Sequence, residues 1–557
     1  MVNLRRVPHP ISGTIYESLG DGLVRVSRDK SDSYGIFKWD GEWVEGDVTQ
    51  ADPALLLYVG GPDLPDDHDV LWQMADAGVH DGSAPVIAPF GSRLGDVTPL
   101  VGAYTPDKGM MTPEGMRSSG YIEPEFYLDN DRRPELIPDA FRAVSPMPGG
   151  PIRIPTAIYH EKAFHDREVE RLWKRTWQMA CREDDIPNVG DYFVYRIATL
   201  SYLVVRTGEN EIRAHQNVCL HRGRLLKDCS GIKAREFRCP FHGWAWNLDG
   251  SLKEITTEWD FPGVREDAAQ LPPAKIGTWG GYVFINPDPD ASPLEDHLGP
   301  VMIDFYRKFK LENRFKQAHV EKVVRANWKV IMEAFMEAYH VIATHPHQML
   351  LSGDCANMRY DVFGNWGRAG ILSAAGSPQR GMAVPRENAL AHYHASADYM
   401  REHLRGLVGD EVEQYSDAEI NDGGSFNHLF PNICPWGGWA RISFRFRPNG
   451  DNPNESIMDV MLLVPWPEGK SKPAPAKLRT LGADDPWTMA PELLSLAKIL
   501  DQDIMNAPSV HAGLKAKQPP YVWLSAYQEG MIRNFHQNYD KLMDIDPDKV
   551  IEGVQEL

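Results

Sequence analysis

The chain has 557 residues, 42% hydrophobic and 24% charged, with a formal net charge of −20, an ordinary make-up for a soluble globular protein of two or three domains. The acidic balance argues against nucleic acid, whose phosphates demand a basic surface. No apolar run approaches the roughly 18–20 residues of a membrane span, and Met1–Pro8 lacks the apolar core of a secretory signal.

In chain order three regions stand out. Residues 1–150 are rich in Gly, Pro and Asp, and the runs Gly22–Ser27 and Tyr34–Trp39 alternate like strands closed by Asp-Gly turns. They predict a small β-rich appendage that caps a site or builds an oligomer contact. Gly60-Gly61-Pro62 is too short for a dinucleotide-binding fingerprint, so the chain is not expected to bind NADH itself.

Residues 151–300 open with a predicted helix from His160 to Cys181. The runs Tyr192–Tyr195, Tyr202–Val205 and Tyr282–Ile285 then read as strands between Gly, Asn and Asp turns. Residues 301–557 carry helical patterns at 300–318, 328–344, 393–407 and 491–507, with strand-like runs at 440–446 and 457–464.

The six cysteines are few and scattered, as in a reducing cytoplasm. Two of them carry the strongest signal in the chain. Cys219-Leu220-His221 is followed, after 17 intervening residues, by Cys239-Pro240-Phe241-His242. Two thiolates and two imidazoles in mixed pairs suit an asymmetric Rieske [2Fe–2S] centre, in which Cys holds one iron and His the other. Structural zinc is the rival for such ligands, but zinc modules usually group like with like. With Arg222-Gly223 after the first pair and Gly243-Trp244 after the second, the sequence resembles the large (α) subunit of the Rieske non-haem iron ring-hydroxylating oxygenases.

A second constellation separates an electron carrier from an enzyme. Asn327-Trp328-Lys329 opens a run of good helix formers with an apolar stripe, in which Glu337 and His340 share a face. His345 lies about 140° from His340 on an ideal helix. Pro346 disfavours helix at the residue before it, so the helix is expected to end near Thr344 and let His345 turn back toward His340. Two imidazoles and a carboxylate with open positions make the facial triad of non-haem Fe(II) oxygenases. His340-x4-His345 resembles that family's iron-binding segment, about 100 residues downstream of the cluster motif. His347 is a competing imidazole.

The resemblance also implies the remaining parts. The third iron ligand falls in Leu500–Ile504, where Asp503 aligns best and helical periodicity cannot separate it from Asp501; His511 replaces the Gln usual in Gln-x-Gly-Leu. Glu337 would bridge one subunit's cluster histidine to a neighbour's iron-ligand histidine. Phe426–Asn432 resembles a stretch lining the substrate channel, making His428 a pocket candidate or a structural histidine. The implied fold is α+β: a β-rich Rieske domain, a helix-grip catalytic domain (antiparallel sheet flanked by helices) and the extra N-terminal region.

The implied cofactors are a [2Fe–2S] Rieske cluster and a mononuclear Fe(2+). NAD(P)H would act only indirectly, through a ferredoxin and/or flavin reductase. The implied assembly is a homotrimer or hexamer, with a β subunit possible. The implied reaction is O2-dependent hydroxylation, by one or two oxygens, of a hydrophobic ring compound such as an aromatic, steroid or terpenoid. Oxidative demethylation, an electron carrier lacking catalytic iron and a zinc-bound structural subunit are the alternatives. Arg222, Arg224, Lys227, Lys233, Arg235 and Arg238 crowd the loop between the ligand pairs. They form either a solvated loop or a docking patch for an acidic electron donor.

Overall fold

The computed structural model describes residues 6–62 apart from 10–11 and 28–32, 110–112, 115–117, 121–345 apart from 147–148, 358–370, and 386–555 apart from 423–424 and 468. His347 and Cys355 lie outside the described residues.

The chain begins with an antiparallel five-stranded meander, β1 (Arg6–Pro8), β2 (Ile15–Gly20), β3 (Leu23–Ser27), β4 (Tyr34–Lys38) and β5 (Trp43–Gly46). Helix α1 (Pro53–Gly60) follows. Asp52 starts it by accepting from the Ala54 and Leu55 N–H groups, and Pro53 fits the first turn because its missing N–H is not needed there. Leu55, Leu56 and Val59 pack on Tyr16, Val24, Val26 and Phe37 of the meander. Ala54 and Leu57 are buried as well, so α1 is apolar on more than one side. A helix of that kind is covered on two faces, and its second neighbour is the helix that carries Asp503.

The next unit is a six-stranded antiparallel sheet of β6 (Gln178–Arg182), β7 (Tyr192–Ile197), β8 (Leu200–Gly208), β9 (Glu211–Gln216), β13 (Pro273–Trp279) and β14 (Tyr282–Asn286), in the order β7-β8-β9-β13-β14-β6. Between β9 and β13 a small sheet of β10 (Phe237–Arg238), β11 (Ala245–Trp246) and β12 (Leu252–Glu254) carries the cysteine loops. The helix expected over His160–Cys181 stops early. It runs as α-helix over Lys162–Glu168 and π-helix over Val169–Trp173, after which Gln178–Arg182 joins the sheet by pairing with β14.

The C-terminal unit is built on an eight-stranded sheet, β16-β17-β18-β19-β20-β21-β15-β22. Its strands are β15 (Arg314–Val324), β16 (Tyr360–Phe363), β17 (Trp366–Ala369), β18 (Phe426–Leu429), β19 (Ile433–Pro435), β20 (Ile442–Asn449), β21 (Asn452–Pro465) and β22 (Arg479–Leu481). Only β22 adds in parallel. Its helices include α2 (Trp328–Ala334), α3 (Arg386–Val408) and α4 (Leu496–Ala516), of which α2 and α4 lead to the site. The pattern at 300–318 is α-helical only over Pro300–Tyr306, with a short 3-10 turn at Leu311–Asn313. Arg314–Val324 instead pairs along β21, where non-local pairing overrides local preference.

Two buried charge networks lock these units together. Asp459 on β21 accepts from Arg445 (2.8 Å), Arg447 (3.0 Å) and faces His319 Nε2 at 3.2 Å. Arg445 also donates to the Met179 and Ala180 carbonyls of β6, and Arg447 to the Arg196 carbonyl of β7. The two guanidiniums and the hydrogen bond from His319 hold Asp459 well below the usual carboxylate range although burial works the other way. At the start of α2, Lys329 pairs with Glu168, which also accepts from Trp328 Nε1 and Tyr539 Oη. A buried pair satisfied this fully fixes the helix against its neighbours, and losing one partner leaves a stranded charge. Residues 121–146 pack into this same body: Tyr127 and Phe141 share a core with Phe305 and Tyr393.

Candidate active site

The two cysteine loops repeat one backbone design. In each, the Cys N–H donates to the carbonyl five residues on (Arg224 for Cys219, Trp244 for Cys239), and a glycine N–H four residues on returns to the Cys carbonyl. Those glycines, Gly223 and Gly243, have φ of +74° and +83°, a conformation that side chains disfavour. The design buries both sulfurs and pushes the histidines outward. Cys219 and Cys239 are buried side by side, while His221 and His242 are half-buried with ring centroids 4.6 Å apart.

The His221 ring stacks on Trp244 at 4.9 Å and 10°, with Phe261 edge-on at 5.6 Å. Its Nδ1 is buried and has no hydrogen-bond partner. An orphaned imidazole nitrogen, a second imidazole and two buried thiols on paired loops are the donor set a [2Fe–2S] cluster of Rieske type would use. Trp244 and Trp246 are buried with Leu203, Val205 and Phe237 around these loops and supply a dry wall. Of the basic residues nearby, Arg224 is paired with Asp228 and Arg238 with Glu236 and Glu254, and Arg222 lies over the Phe241 ring at 5.3 Å. The local acids therefore cancel part of the positive charge expected of this loop.

The second centre forms where α2 stops. The sequence predicts helix to near Thr344, but α2 ends at Ala334 and a single helical turn resumes only at Val341–Thr344. The carboxylate of Glu337 explains the break. It accepts from the His340 N–H at 3.0 Å and lies 2.6 Å from His340 Nδ1, replacing backbone hydrogen bonds with a local side-chain pair. The unwound stretch carries His340 and His345 into reach of one another, with ring centroids 5.3 Å apart.

Asp503 comes from the middle of α4. Its Oδ1 lies 2.6 Å from His345 Nε2 and 3.4 Å from His340 Nε2. Asp501, two residues earlier, points elsewhere and accepts from the Trp487 and Thr488 N–H groups. One ligand atom from each of His340, His345 and Asp503 falls within 4.8 Å of the others, a group that could hold a metal ion.

The tautomers follow from the outer partners. The carboxylate of Glu337 can only accept, so His340 Nδ1 carries the proton that faces it and Nε2 is the atom turned to Asp503. Gln502 Nε2 donates to the Ala54 carbonyl at 2.9 Å, so its Oε1 accepts from His345 Nδ1, also at 2.9 Å. Both Nε2 atoms therefore converge on Asp503, whose carboxylate accepts from them until a cation takes the place of their protons. Burial alone would lower His340, yet Glu337 and Asp503 raise it to about 10. Burial likewise disfavours the Asp503 charge, yet His345 and His340 bring it down to about 2. The carboxylates thus create a field that selects a cation.

Gln502 is the functional residue that reading the sequence missed. Its only local signal is a place one residue before Asp503. His428 sits on β18, buried, with Nε2 3.3 Å from the Pro431 carbonyl, and burial lowers it to about 4. His511 is buried on α4, with Nε2 3.0 Å from Asn454 Oδ1. Beside α2, Phe335 packs on Phe444 at 4.7 Å and Phe446 at 5.4 Å, and Trp436 extends this aromatic wall.

Two family models match the chain: the Rieske [2Fe–2S] domain over residues 176–263, and the ring hydroxylating alpha subunit (catalytic domain) over residues 307–545. The chain belongs to the Rieske ring-hydroxylating oxygenase α-subunit family. That family implies both a Rieske cluster and a catalytic mononuclear iron. Among curated relatives of this oxygenase family, the chain is 32% identical to the carnitine monooxygenase oxygenase subunit of Escherichia coli (strain K12) over 35% of its length and 52% of that protein. It is also 32% identical to the biphenyl 2,3-dioxygenase subunit alpha of Rhodococcus jostii (strain RHA1), over 36% of its length and 45% of that protein. The chain thus spans about half the length of these relatives. The fold is similar to that of a quaternary ammonium Rieske monooxygenase in complex with L-carnitine, with a TM-score of 0.51 and 18% identity over 70% of this chain and 95% of that one. It is similar as well to a naphthalene 1,2-dioxygenase bound to phenanthrene, with a TM-score of 0.50 and 18% identity over 74% and 98%. Among the described residues, no helix is long and apolar enough to cross a membrane.

Proposed function

We propose that this chain is the terminal oxygenase component of a Rieske system and hydroxylates a hydrophobic ring compound. The single observation that carries the reading is the convergence of His340 Nε2, His345 Nε2 and Asp503 Oδ1, with both imidazoles oriented by outer partners. On this reading those three residues would hold the mononuclear iron, and Cys219, Cys239, His221 and His242 the cluster. When bound, the iron supplies open positions for O2 and the cluster supplies single electrons.

The chain's own residues do the rest. Glu337 and Gln502 hold the Nδ1–H groups, so that each imidazole already turns its Nε2 toward Asp503 and a metal need only displace the proton held there. Phe335 at the end of α2 and Trp436, both half-buried, would border the substrate, with the buried Phe444 and Phe446 behind them excluding water. Glu337 would also accept from a cluster histidine of a neighbouring subunit. The exposure of Phe241 beside His242, and of Tyr339 between Glu337 and His340, leaves both surfaces open to such a contact. A head-to-tail contact that closes on itself gives a ring, here a homotrimer or stacked trimers. Inter-subunit electron transfer is named for the quaternary ammonium monooxygenase of similar fold. A ferredoxin or flavin reductase would be the donor, in the cytoplasm, where the described cysteines stay unpaired.

A second substrate reading has support of its own. The relatives include carnitine and choline monooxygenases, and an aromatic wall binds a quaternary ammonium through its ring faces as readily as it stacks a planar ring. The test is anaerobic purification followed by assay of iron and acid-labile sulfide, then O2 consumption with a generic reductase. Bicyclic arenes, steroids and quaternary ammonium compounds are the panel. Cluster absorption with an additional iron and substrate-dependent O2 uptake supports the oxygenase. Cluster iron alone, with no uptake after ferrous iron is added, supports the carrier and overturns it.

A further inference from the structure

The N-terminal module reaches the second centre through one side chain. Gln502 stands on α4 immediately before Asp503 and is fully buried. Its amide spans two partners 448 and 157 residues away: the NH2 donates to the Ala54 carbonyl of α1, and the oxygen accepts from His345 Nδ1. An amide flipped end for end would set its NH2 against the His345 N–H and its oxygen against the Ala54 oxygen, two donors and two acceptors facing. The Ala54 carbonyl therefore fixes which way Gln502 points, and Gln502 fixes the His345 tautomer.

The Ala54 carbonyl is in turn held by the start of α1. The Asp52 side chain accepts from the Ala54 and Leu55 N–H groups at 2.8 and 3.2 Å, and the Asp52 N–H donates to Tyr16 Oη on β2 at 2.7 Å. His9 Nε2 lies 3.3 Å from the Asp52 carboxylate. A rigid path thus runs from the meander through the α1 cap to a backbone oxygen, an amide and an imidazole.

We infer that the N-terminal module is a working part of the metal centre: through Ala54 and Gln502 it orients His345 for a divalent cation. The inference rests on the proposed assignment of His340, His345 and Asp503 as metal ligands. Gln502 acts through His345 and is a positioning residue. Partners of this kind, one step removed from the metal, change metal affinity about 10–100-fold when removed.

The test is a double-mutant cycle on the full-length chain with its cluster retained and its mononuclear metal stripped, titrated with Co(II) under anaerobic conditions. Gln502→Leu is expected to weaken Co(II) binding about 10–100-fold. Asp52→Ala, which loosens the first turn of α1 far from the ligands, is expected to weaken it several-fold in the wild-type background and not at all in the Gln502→Leu background. Asp52→Asn keeps the cap and is expected to restore wild-type affinity. If Asp52→Ala does not fold, Tyr16→Phe, which removes only the hydroxyl oxygen that accepts the Asp52 N–H, is read in the same cycle. Unchanged affinity in the N-terminal variant, or an equal loss in both backgrounds, would overturn the relay. Wild-type protein that binds no Co(II), or binds it unchanged after Asp503→Ala, would overturn the ligand assignment instead.

Discussion

Glu337 Oε1 lies 2.6 Å from His340 Nδ1, and the same carboxylate accepts from the His340 backbone N–H. One side chain therefore both ends a helix and orients a candidate ligand. Replacing it with Gln keeps an acceptor of similar size but removes the charge. Glu337→Gln is expected to retain cluster and mononuclear iron while slowing reoxidation of the reduced cluster on the order of 10–100-fold. Stopped-flow absorbance of the reduced protein mixed with O2 and substrate reads this directly. Reoxidation at the wild-type rate would remove Glu337 from the path.

Asp503 and Asp501 make a paired test of the metal assignment. Asp503→Ala is expected to cut iron by about one third while acid-labile sulfide and the cluster spectrum stay unchanged. Asp501→Ala is expected to keep all the iron and to lose about 1 kcal/mol of stability, because it strips acceptors from the Trp487 and Thr488 N–H groups. Iron analysis and thermal melts of the two variants give opposite patterns, and the reverse pattern would exchange their roles.

Asp459 tests how the cluster-bearing sheet is attached to the catalytic sheet. Asp459→Asn leaves Arg445 and Arg447 buried with less charge to meet, at an expected cost of roughly 3–5 kcal/mol. The folded protein holds the Asp459 carboxyl well below its ordinary value of 3.8. Its contribution is therefore present above that value and is lost as pH falls through the folded-state value. Wild-type and variant melts should converge on acidification, and a constant gap from neutral to strongly acidic pH would contradict the clamp.

Asp422 has the opposite sign. Burial raises it to about 7, against a hydrogen bond from the Gly438 N–H, and its Oδ1 has no partner. Between the ordinary carboxylate value and 7 the folded chain holds a proton that the unfolded chain has released, so stability falls as pH rises through that window. Asp422→Asn mimics the protonated form. It is expected to raise Tm at pH 8 by on the order of 2–4 °C, with the gain shrinking toward pH 5. Parallel pH–Tm curves would show that Asp422 is ionised throughout.

The parts of this site that lie close together in sequence could be read before folding was considered. The loops around Cys219 and Cys239 are self-contained, their hydrogen bonds closing within five residues, so spacing alone exposes them. His340 and His345 are readable as a pair, but not the break that precedes His340, because periodicity follows apolar residues and Glu337 acts through a polar contact. Asp501 and Asp503 flank the same stripe, and only the packing of α4 against the Trp487 turn tells them apart. Gln502 and α1 were invisible for a simpler reason: their contact joins residues 448 apart. The strand Arg314–Val324 was hidden likewise, since its preference comes from β21, more than a hundred residues later.

The separation of His345 from Asp503, 158 residues along the chain, sets the order in which the protein is made. On the proposed assignment, the four cluster residues leave the ribosome within one short stretch, and the sheet around them is complete by Asn286. The second site does not exist until α4 has emerged and packed. A prematurely terminated or stalled chain would then hold electrons but have nowhere to bind the iron that meets O2. The more hazardous half of the chemistry would then be switched on after the electron store, and only once α4 has been made.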